Sequence, residues 1–435
     1  MSLFGAMNTA ISGLNAQSAA FSNIGDNVAN SQTIGYKRID TRFADYLTTS
    51  TAQLNESGSV VATPDYVNTV QGTVATSDNK LALAITGQGF FSVSQQNGTQ
   101  DGKPTFSAKT EYTRAGDFSM NKDGYIKNGF GLVLNGWQVD PQTGVVDRSS
   151  VAPIQISQST YNPVATSEVS LAANLPATPT NAGAVNSQVQ VYDGLGTAHS
   201  VSLSWTQTSP NNWTLNVNAP DATNGPALGT ANVQFGNTSG NDVPSGTPGA
   251  LGGATGTVST TGYAAGGPAS VSFSADFGQG AQTVSLKLGT FGGTDGVTQY
   301  AGNDYTLKGL TQNGIPPGSY SSLSMASSGD VVVNYDNGQS RTVARVPITT
   351  FADPDALQRE DGQAFTATIG AGTGLTQDAG NNGAGDLVTS ATESSNVDIA
   401  KEFTKLIVAQ RAYSANTKLV TTADELLQQT IDMKR

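Results

Sequence analysis

The sequence predicts a mainly β protein with α-helical termini. Three observations carry that prediction. The first and last segments repeat apolar residues every seven positions, the interior alternates apolar and polar residues in short runs, and Gly is abundant (50 of 435) while charged residues make up only 12%. A seven-residue apolar repeat marks a helix that packs along a narrow seam, and a period of two marks a half-buried strand. A chain of 435 residues is too long for one ordinary core, so two to four domains are expected.

The N-terminal helix follows from Met7, Leu14, Phe21 and Val28, each seven residues after the last, with Phe4 and Ile11 on a second row. Asp26 is the only charge before Lys37. A polar turn, SQTIGY, then breaks the pattern ahead of Lys37 and Arg38. At the other end Ile399, Leu406, Tyr413, Val420 and Leu427 keep the same spacing, with a flanking row of Ala412, Leu419, Leu426 and Met433. Ser395 followed by Asp398 reads as a capping box that starts this helix. A strict seven-residue repeat implies a left-handed, coiled-coil-like supercoil.

Between the ends the period falls to two. In QVQVYDGLGTAHSVSLSWTQTSPNNWTLNV, Val189 and Val191, then Val201, Leu203 and Trp205, then Trp213, Leu215 and Val217 alternate with polar residues. That predicts an antiparallel meander with one buried and one wet face. Asn337-Gly338 and Asp123-Gly124 each lie between strand-like runs and predict hairpin turns. Residues 219–270 are rich in Gly, Ala, Thr, Ser and Pro and poor in large apolar side chains, so long turns or weakly packed strands are expected there.

Several classes of function are disfavoured. The net charge of −12 opposes binding to phosphate backbones, so no nucleic-acid partner is expected. With no Cys there is no disulfide, thiolate metal site or Cys nucleophile. No apolar run is long enough to span a membrane, and the N-terminus lacks the basic and apolar regions of a cleaved signal peptide. His199 is the single histidine, and no G-x-S-x-G elbow accompanies it. The glycine-containing stretches GTQDGKP and GQGFF depart from phosphate-loop and dinucleotide patterns. GGTDGVTQYAGNDYTL holds one ragged copy of a calcium-type repeat, which needs tandem copies to form a cage. The acids Asp353, Asp355, Glu360 and Asp361 read as a solvated loop. No catalytic residue, metal or cofactor is expected.

What remains is a pair of amphipathic ends enclosing β-rich domains. The ends pack either on their own protein or on other copies of it. A lone helix with so few charges and so narrow a seam is marginal in water, which favours packing among many neighbours. The expected assembly seam is Phe4, Met7, Ile11, Leu14, Phe21, Val28, Ile399, Leu406, Tyr413, Leu419, Val420, Leu426 and Leu427.

The opening segment SGLNAQSAAFSNIGDNVANSQTIGYKRIDTRFADYL resembles the N-terminal signature of bacterial flagellar axial proteins, the rod and hook family. That signature is an Asn-rich helix end followed by Asn-x-x-Thr-x-Gly-aromatic-Lys. Asn27, Asn30, Thr33, Gly35, Tyr36 and Lys37 occupy its places, with Asp26 where a second Asn is usual and Tyr36 where Phe is commoner. The closing segment SNVDIAKEFTKLIVAQRAYSANTKLVTTADELLQQTIDMKR is similar to the family's C-terminal helix. QGTVATSDNKLALAITGQGFFSVS, YTRAGDFSMNKDGYIKNGFGLVLNGWQVD and ITTFADPDALQREDGQAF resemble hook-protein segments in hook-protein order. VYDGLGTAHSVSLSW looks like an outer-domain strand pair that the shorter rod proteins lack, so the resemblance selects the hook branch.

The resemblance implies nested, discontinuous domains. Residues 1–71 with 386–435 form a helical inner domain, 72–150 with 318–385 a middle β-rich domain, and 151–317 an inserted outermost β domain. It implies a self-assembling subunit of a curved hollow tube, a universal joint between the basal body rod and the filament. Rod, hook-cap and hook–filament junction proteins are the implied partners. The flagellar type III export apparatus is the implied route outside the cell, without a cleaved signal peptide. A distal-rod protein and a secreted β-rich adhesin are the alternatives. In this frame the turn carries the chain out of the inner layer, Gly35 needs a backbone angle that a Cβ forbids, and Lys37 and Arg38 face water or a neighbour's acids.

Overall fold

The computed structural model describes residues 3–50, 55–140, 143–179, 183–237 and 240–432, with the side chains at 3–4, 47–50, 55–57 and 430 outside that set. The fold is mainly β with a long helix near each end, and it divides into two compact units. One holds residues 1–158, 321–334 and 340–435, the other 159–320 and 335–339.

In the first unit, helix α1 (Leu3–Ala29) is followed by strand β1 (Ile39–Ser50), which pairs antiparallel with β2 (Asn55–Tyr66). Helix α2 (Ile399–Asp432) packs against α1. The face that α1 buries is small: Ala10, Ala16, Ala20 and Ile24. On α2 the buried positions are Glu402, Ala409 and Ala423. Small side chains let two helix backbones approach closely, and a Cβ at Gly13 would lie 2.9 Å from the Asn416 amide nitrogen. The hairpin rests on α1, where Ser12 Oγ accepts the Val60 N–H at 3.0 Å and Asn23 donates to Thr41 Oγ1 at 2.8 Å.

Helix α2 starts three residues later than the predicted capping box, at Ile399. Asp398 itself caps it, accepting the N–H groups of Ala400 at 3.0 Å and Lys401 at 3.2 Å, while Ser395 Oγ accepts from Val397 at 3.3 Å. Asp beats Ser here because an ionised oxygen at the positive helix end gains from the dipole as well as from the bond.

The rest of this unit is a branched antiparallel sheet through Ser340–Arg345, Val133–Val139, Phe90–Ser94, Glu111–Thr113, Ala364–Thr366 and Gln358–Glu360. Phe90 and Phe365 meet edge to face at 5.6 Å beneath it. Both predicted hairpin turns are present: Gly124 at φ +82° lies between Ser119–Met120 and Ile126–Lys127, and Gly338 at φ +78° between Asp330–Tyr335 and Ser340–Arg345.

The second unit is a two-sheet sandwich. One sheet is the predicted meander, Val185–Tyr192, Ala198–Ser209 and Asn212–Asn218, continued by Ala227–Phe235 and Pro248–Gly252. The other is mixed: Glu168–Asn174 pairs parallel with Ala281–Thr290 and antiparallel with Thr306–Gln312. Inward residues of both sheets share one core that includes Trp205, Trp213, Phe235, Phe273 and Leu286. The expectation of long turns or weakly packed strands over 219–270 is corrected, because Leu228, Ala231, Val233 and Phe235 are buried residues of the strand Ala227–Phe235. Large side chains from neighbouring strands complete the packing that these Gly- and Thr-rich strands do not supply themselves.

Candidate functional site

The predicted seam residues are half-buried or exposed wherever their side chains are described. Met7, Leu14, Phe21 and Val28 are half-buried, and Ile11 is exposed. On α2, Leu406, Val420 and Leu427 are half-buried, whereas Ile399, Tyr413, Leu419 and Leu426 are exposed. Phe21 and Tyr413 do meet, edge to face at 6.2 Å. Phe4's side chain and Met433 lie outside the described residues. The buried apolar row of α1, Ala10, Ala16, Ala20 and Ile24, was hidden by its small side chains, though its steps of six, four and four keep it on one face of the helix. Further apolar side chains on α2 also stay in water: Phe403, Ile407, Val408 and Ile431.

The predicted turn residues do come together. Asn27, fully buried at the end of α1, bridges three elements. Its Oδ1 accepts the Ile39 N–H at 2.9 Å and the Tyr36 hydroxyl at 3.1 Å, and its Nδ2 donates to Ile39 O at 2.8 Å and Glu402 Oε2 at 3.1 Å. Thr33 donates to Asn30 Oδ1 at 3.2 Å and rounds the turn. Gly35 adopts φ +71°, and a Cβ there would lie 2.4 Å from the Ala115 nitrogen. Both the angle and the space exclude other residues. The Arg359 guanidinium lies 4.3 Å from the Tyr36 ring centroid. Burial pushes the Tyr36 hydroxyl pKa up, against the pull of that cation.

The expectation that Lys37 faces water or a neighbour's acids is corrected. Lys37 is buried, with Nζ 2.6 Å from Glu393 Oε1 and 2.8 Å from Val70 O. Burial pushes its pKa down, against the attraction of Glu393. Glu393 Oε2 in turn takes Arg114 at 3.0 Å, and Arg114 also donates to Ile85 O and Gly87 O. Gly72 N donates to Glu393 Oε1 at 2.8 Å, and Gly35 N to the Glu393 carbonyl at 2.8 Å. One carboxylate therefore ties the turn, the segment after β2 and the branched sheet together. Buried charges persist only when paired and hydrogen-bonded in this way. Asn396 adds a second tie, accepting the Arg38 N–H at 2.7 Å and donating to Val67 O and Val70 O. Neither Glu393, Arg114 nor Asn396 was singled out from sequence, where each is an isolated polar residue far from the turn.

The residues weighed for chemistry have structural surroundings. His199 stacks on Phe277 at 3.9 Å and faces Asp193 at 3.4 Å. Asp355 accepts the N–H groups of Asn68 and Thr69, Glu360 pairs with Lys109 at 2.7 Å, and Asp295 caps Thr290. Among the described residues no acid or histidine cluster has the geometry of a metal site, and no helix is long and apolar enough to cross a membrane.

Four family models match along the chain. They are the flagella basal body rod protein over residues 7–37, the flagellar hook protein FlgE/F/G D1 domain over 84–174, the flagellar basal body protein FlaE D2 domain over 159–315, and the flagellar basal body rod FlgEFG protein C-terminal over 388–433. Fold and matches together define a flagellar axial protein, a structural and non-enzymatic class. The flagellar hook protein FlgE of Brucella abortus is 31% identical over 439 residues, covering all of both chains. That of Escherichia coli is 29% identical, covering 99% of this chain and all of its own. Among solved structures, Helicobacter pylori flagellar hook protein FlgE2 aligns with 72% of this chain and 98% of its own, at 13% identity and a TM-score of 0.46. This chain belongs to the flagellar hook protein FlgE family, and is a structural subunit of the flagellum.

Proposed function

We propose that copies of this chain polymerise through α1 and α2 into a curved, hollow helical tube that acts as a universal joint between rod and filament. The observation that carries the reading is the apolar surface left on α2 after it has packed on α1, with Val408 at 62% and Leu419 at 61% exposure. Such a stripe on a chain with net charge −12 has no reason to stay wet unless it finds burial elsewhere. The seam residues named from sequence are assigned to this intermolecular role, and the Asn27–Lys37 turn to leading the chain from the tube's inner layer into its β-domains.

The three-part division of the chain, with an inner helical, a middle β and an outermost β domain, belongs to the same proposal. The five-stranded sheet of the second unit suits surfaces that must shear as a bent tube turns. Its strands carry no Asp, Glu, Lys or Arg, and most of its exposed side chains are Ser, Thr, Asn and Gln. Rod, hook-cap and hook–filament junction proteins are the proposed partners. Export through the flagellar type III apparatus to the cell exterior, without signal cleavage, is the proposed route.

Deleting residues 1–30 tests the assembly role. The shortened protein should stay soluble, keep amide protection at Phe90–Val93 and Val201–Val217, and form no tubes when precipitant salt is added. Tubes from that protein, seen by electron microscopy, would overturn the assignment.

A further inference from the structure

The loop before the strand Asp386–Thr389 holds an Asn-Gly pair whose reactive groups are left free. Asn382 is exposed, at φ +47°, and Gly383 follows at φ +86°. They are the middle of a tight turn in which Ala384 N donates to Asn381 O at 2.9 Å. Positive φ at both central residues marks a type I′ turn, the geometry that favours Asn-Gly. Among the described residues neither the Asn382 side-chain amide nor the Gly383 N–H makes a hydrogen bond. The Asn382 backbone carbonyl accepts from Gln377 Nε2 at 3.4 Å.

The other Asn-Gly pairs are held. Asn128 and Asn135 are buried, and Gly129 N donates to Asp117 Oδ2 at 3.1 Å. Asn224 uses both ends of its amide, toward Ser274 O and Asp276 N. So do Asn313, toward Ser167 and Glu168, and Asn337, toward Pro316 O and Gln339 N. Asn97 is exposed, but Gly98 lies in a ladder opposite Thr105, and swinging its nitrogen round to the side chain would break that pairing.

We propose that Asn382 is a site of spontaneous deamidation, a covalent modification that needs no enzyme. Gly383 N gives up its proton to hydroxide and attacks Asn382 Cγ. The new N–Cγ bond closes a succinimide ring as the Cγ–Nδ2 bond breaks and the amide leaves as ammonia. Water then opens the ring at either carbonyl, leaving aspartate or isoaspartate, so one water is consumed for each ammonia released. Glycine permits the attack because no side chain shields its nitrogen. The bond from Gln377 assists, since charge left on that nitrogen spreads onto the Asn382 oxygen it touches. Either product adds a carboxylate to a loop that already carries Asp378 and Asp386. Isoaspartate also lengthens the backbone within the turn, next to the bonds from Gly380 N to Gly385 O at 3.0 Å and from Gly385 N to Gln88 O at 2.7 Å.

The test holds the folded full-length protein in warm, mildly alkaline buffer and maps its peptides by mass spectrometry over time, with a urea-unfolded sample in parallel. Asn382 should convert at least about tenfold faster than Asn224, Asn313 and Asn337, each of which must first give up hydrogen bonds. In urea all of these pairs should convert at similar rates. Isoaspartate-specific methyl labelling should rise in the wild type and stay low in Asn382→Gln, whose longer side chain closes its ring slowly. An Asn382 amide that survives in the folded protein after the urea sample has converted, a rate no higher than that of Asn313 or Asn337, or conversion at Asn97 first would each overturn the assignment.

Discussion

Glu393 faces two cations at once, Lys37 at 2.6 Å and Arg114 at 3.0 Å, and both its side chain and theirs are almost completely buried. Removing the acid leaves two unpaired charges in a dry place, which costs far more than the pair contributes to stability while intact. Glu393→Ala should therefore destabilise the first unit by about 3–5 kcal/mol, read as an earlier urea transition. Because the loss comes from stranded cations, adding Lys37→Met to that variant should recover part of it. This cluster was only half legible. The need for Gly35 follows from the turn itself and agrees with its φ of +71°. The fate of Lys37 could not be read locally, because the acid that buries it is 356 residues further along.

At the scale of elements, the ends and the meander were legible because their burial is one-sided and regular. The seven-residue rows gave both helices, and alternation gave the strands from Val185 to Asn218. The β1–β2 hairpin escaped, since its sequence lacks clean alternation: Phe43 and Tyr46 remain exposed. Its place is set by α1, through contacts such as Val60 to Ser12, and not by a pattern of its own. The buried face of α1 escaped for a related reason, because alanines carry little hydrophobic signal yet decide how closely a helix can be approached. The start of α2 offers a direct check. The backbone N–H of Lys401 and then that of Ala400 hold the Asp398 carboxylate below its usual pKa. Asp398→Ala should fray the first turns of the helix, seen as faster amide exchange over residues 400–410, while Ser395→Ala should do less.

Across the whole molecule, each unit has a core of its own. In the second unit Trp213 is 1% exposed and sits where both sheets contribute to one core. Trp213→Ala should cost this sandwich about 3–5 kcal/mol. Amide protection should fall across Val201–Val217 and Val271–Leu288 and hold at Phe90–Val93 in the first unit. Loss at both places would mean that the two cores unfold as one. The segment from 219 to 270 shows where composition misleads. A glycine- and threonine-rich stretch reads as loose when taken alone, but becomes ordered strand once Trp205, Trp213 and Phe273 are laid against it.

Glu393 also acts as a check on length. A polypeptide halted between residues 340 and 392 would hold every strand of the sandwich and yet lack the acid that pairs with Lys37. Its opening helix would keep the β1–β2 hairpin but lose both α2 and the acid that holds the turn after it. Translation to near the end is thus a condition for the beginning to complete its packing.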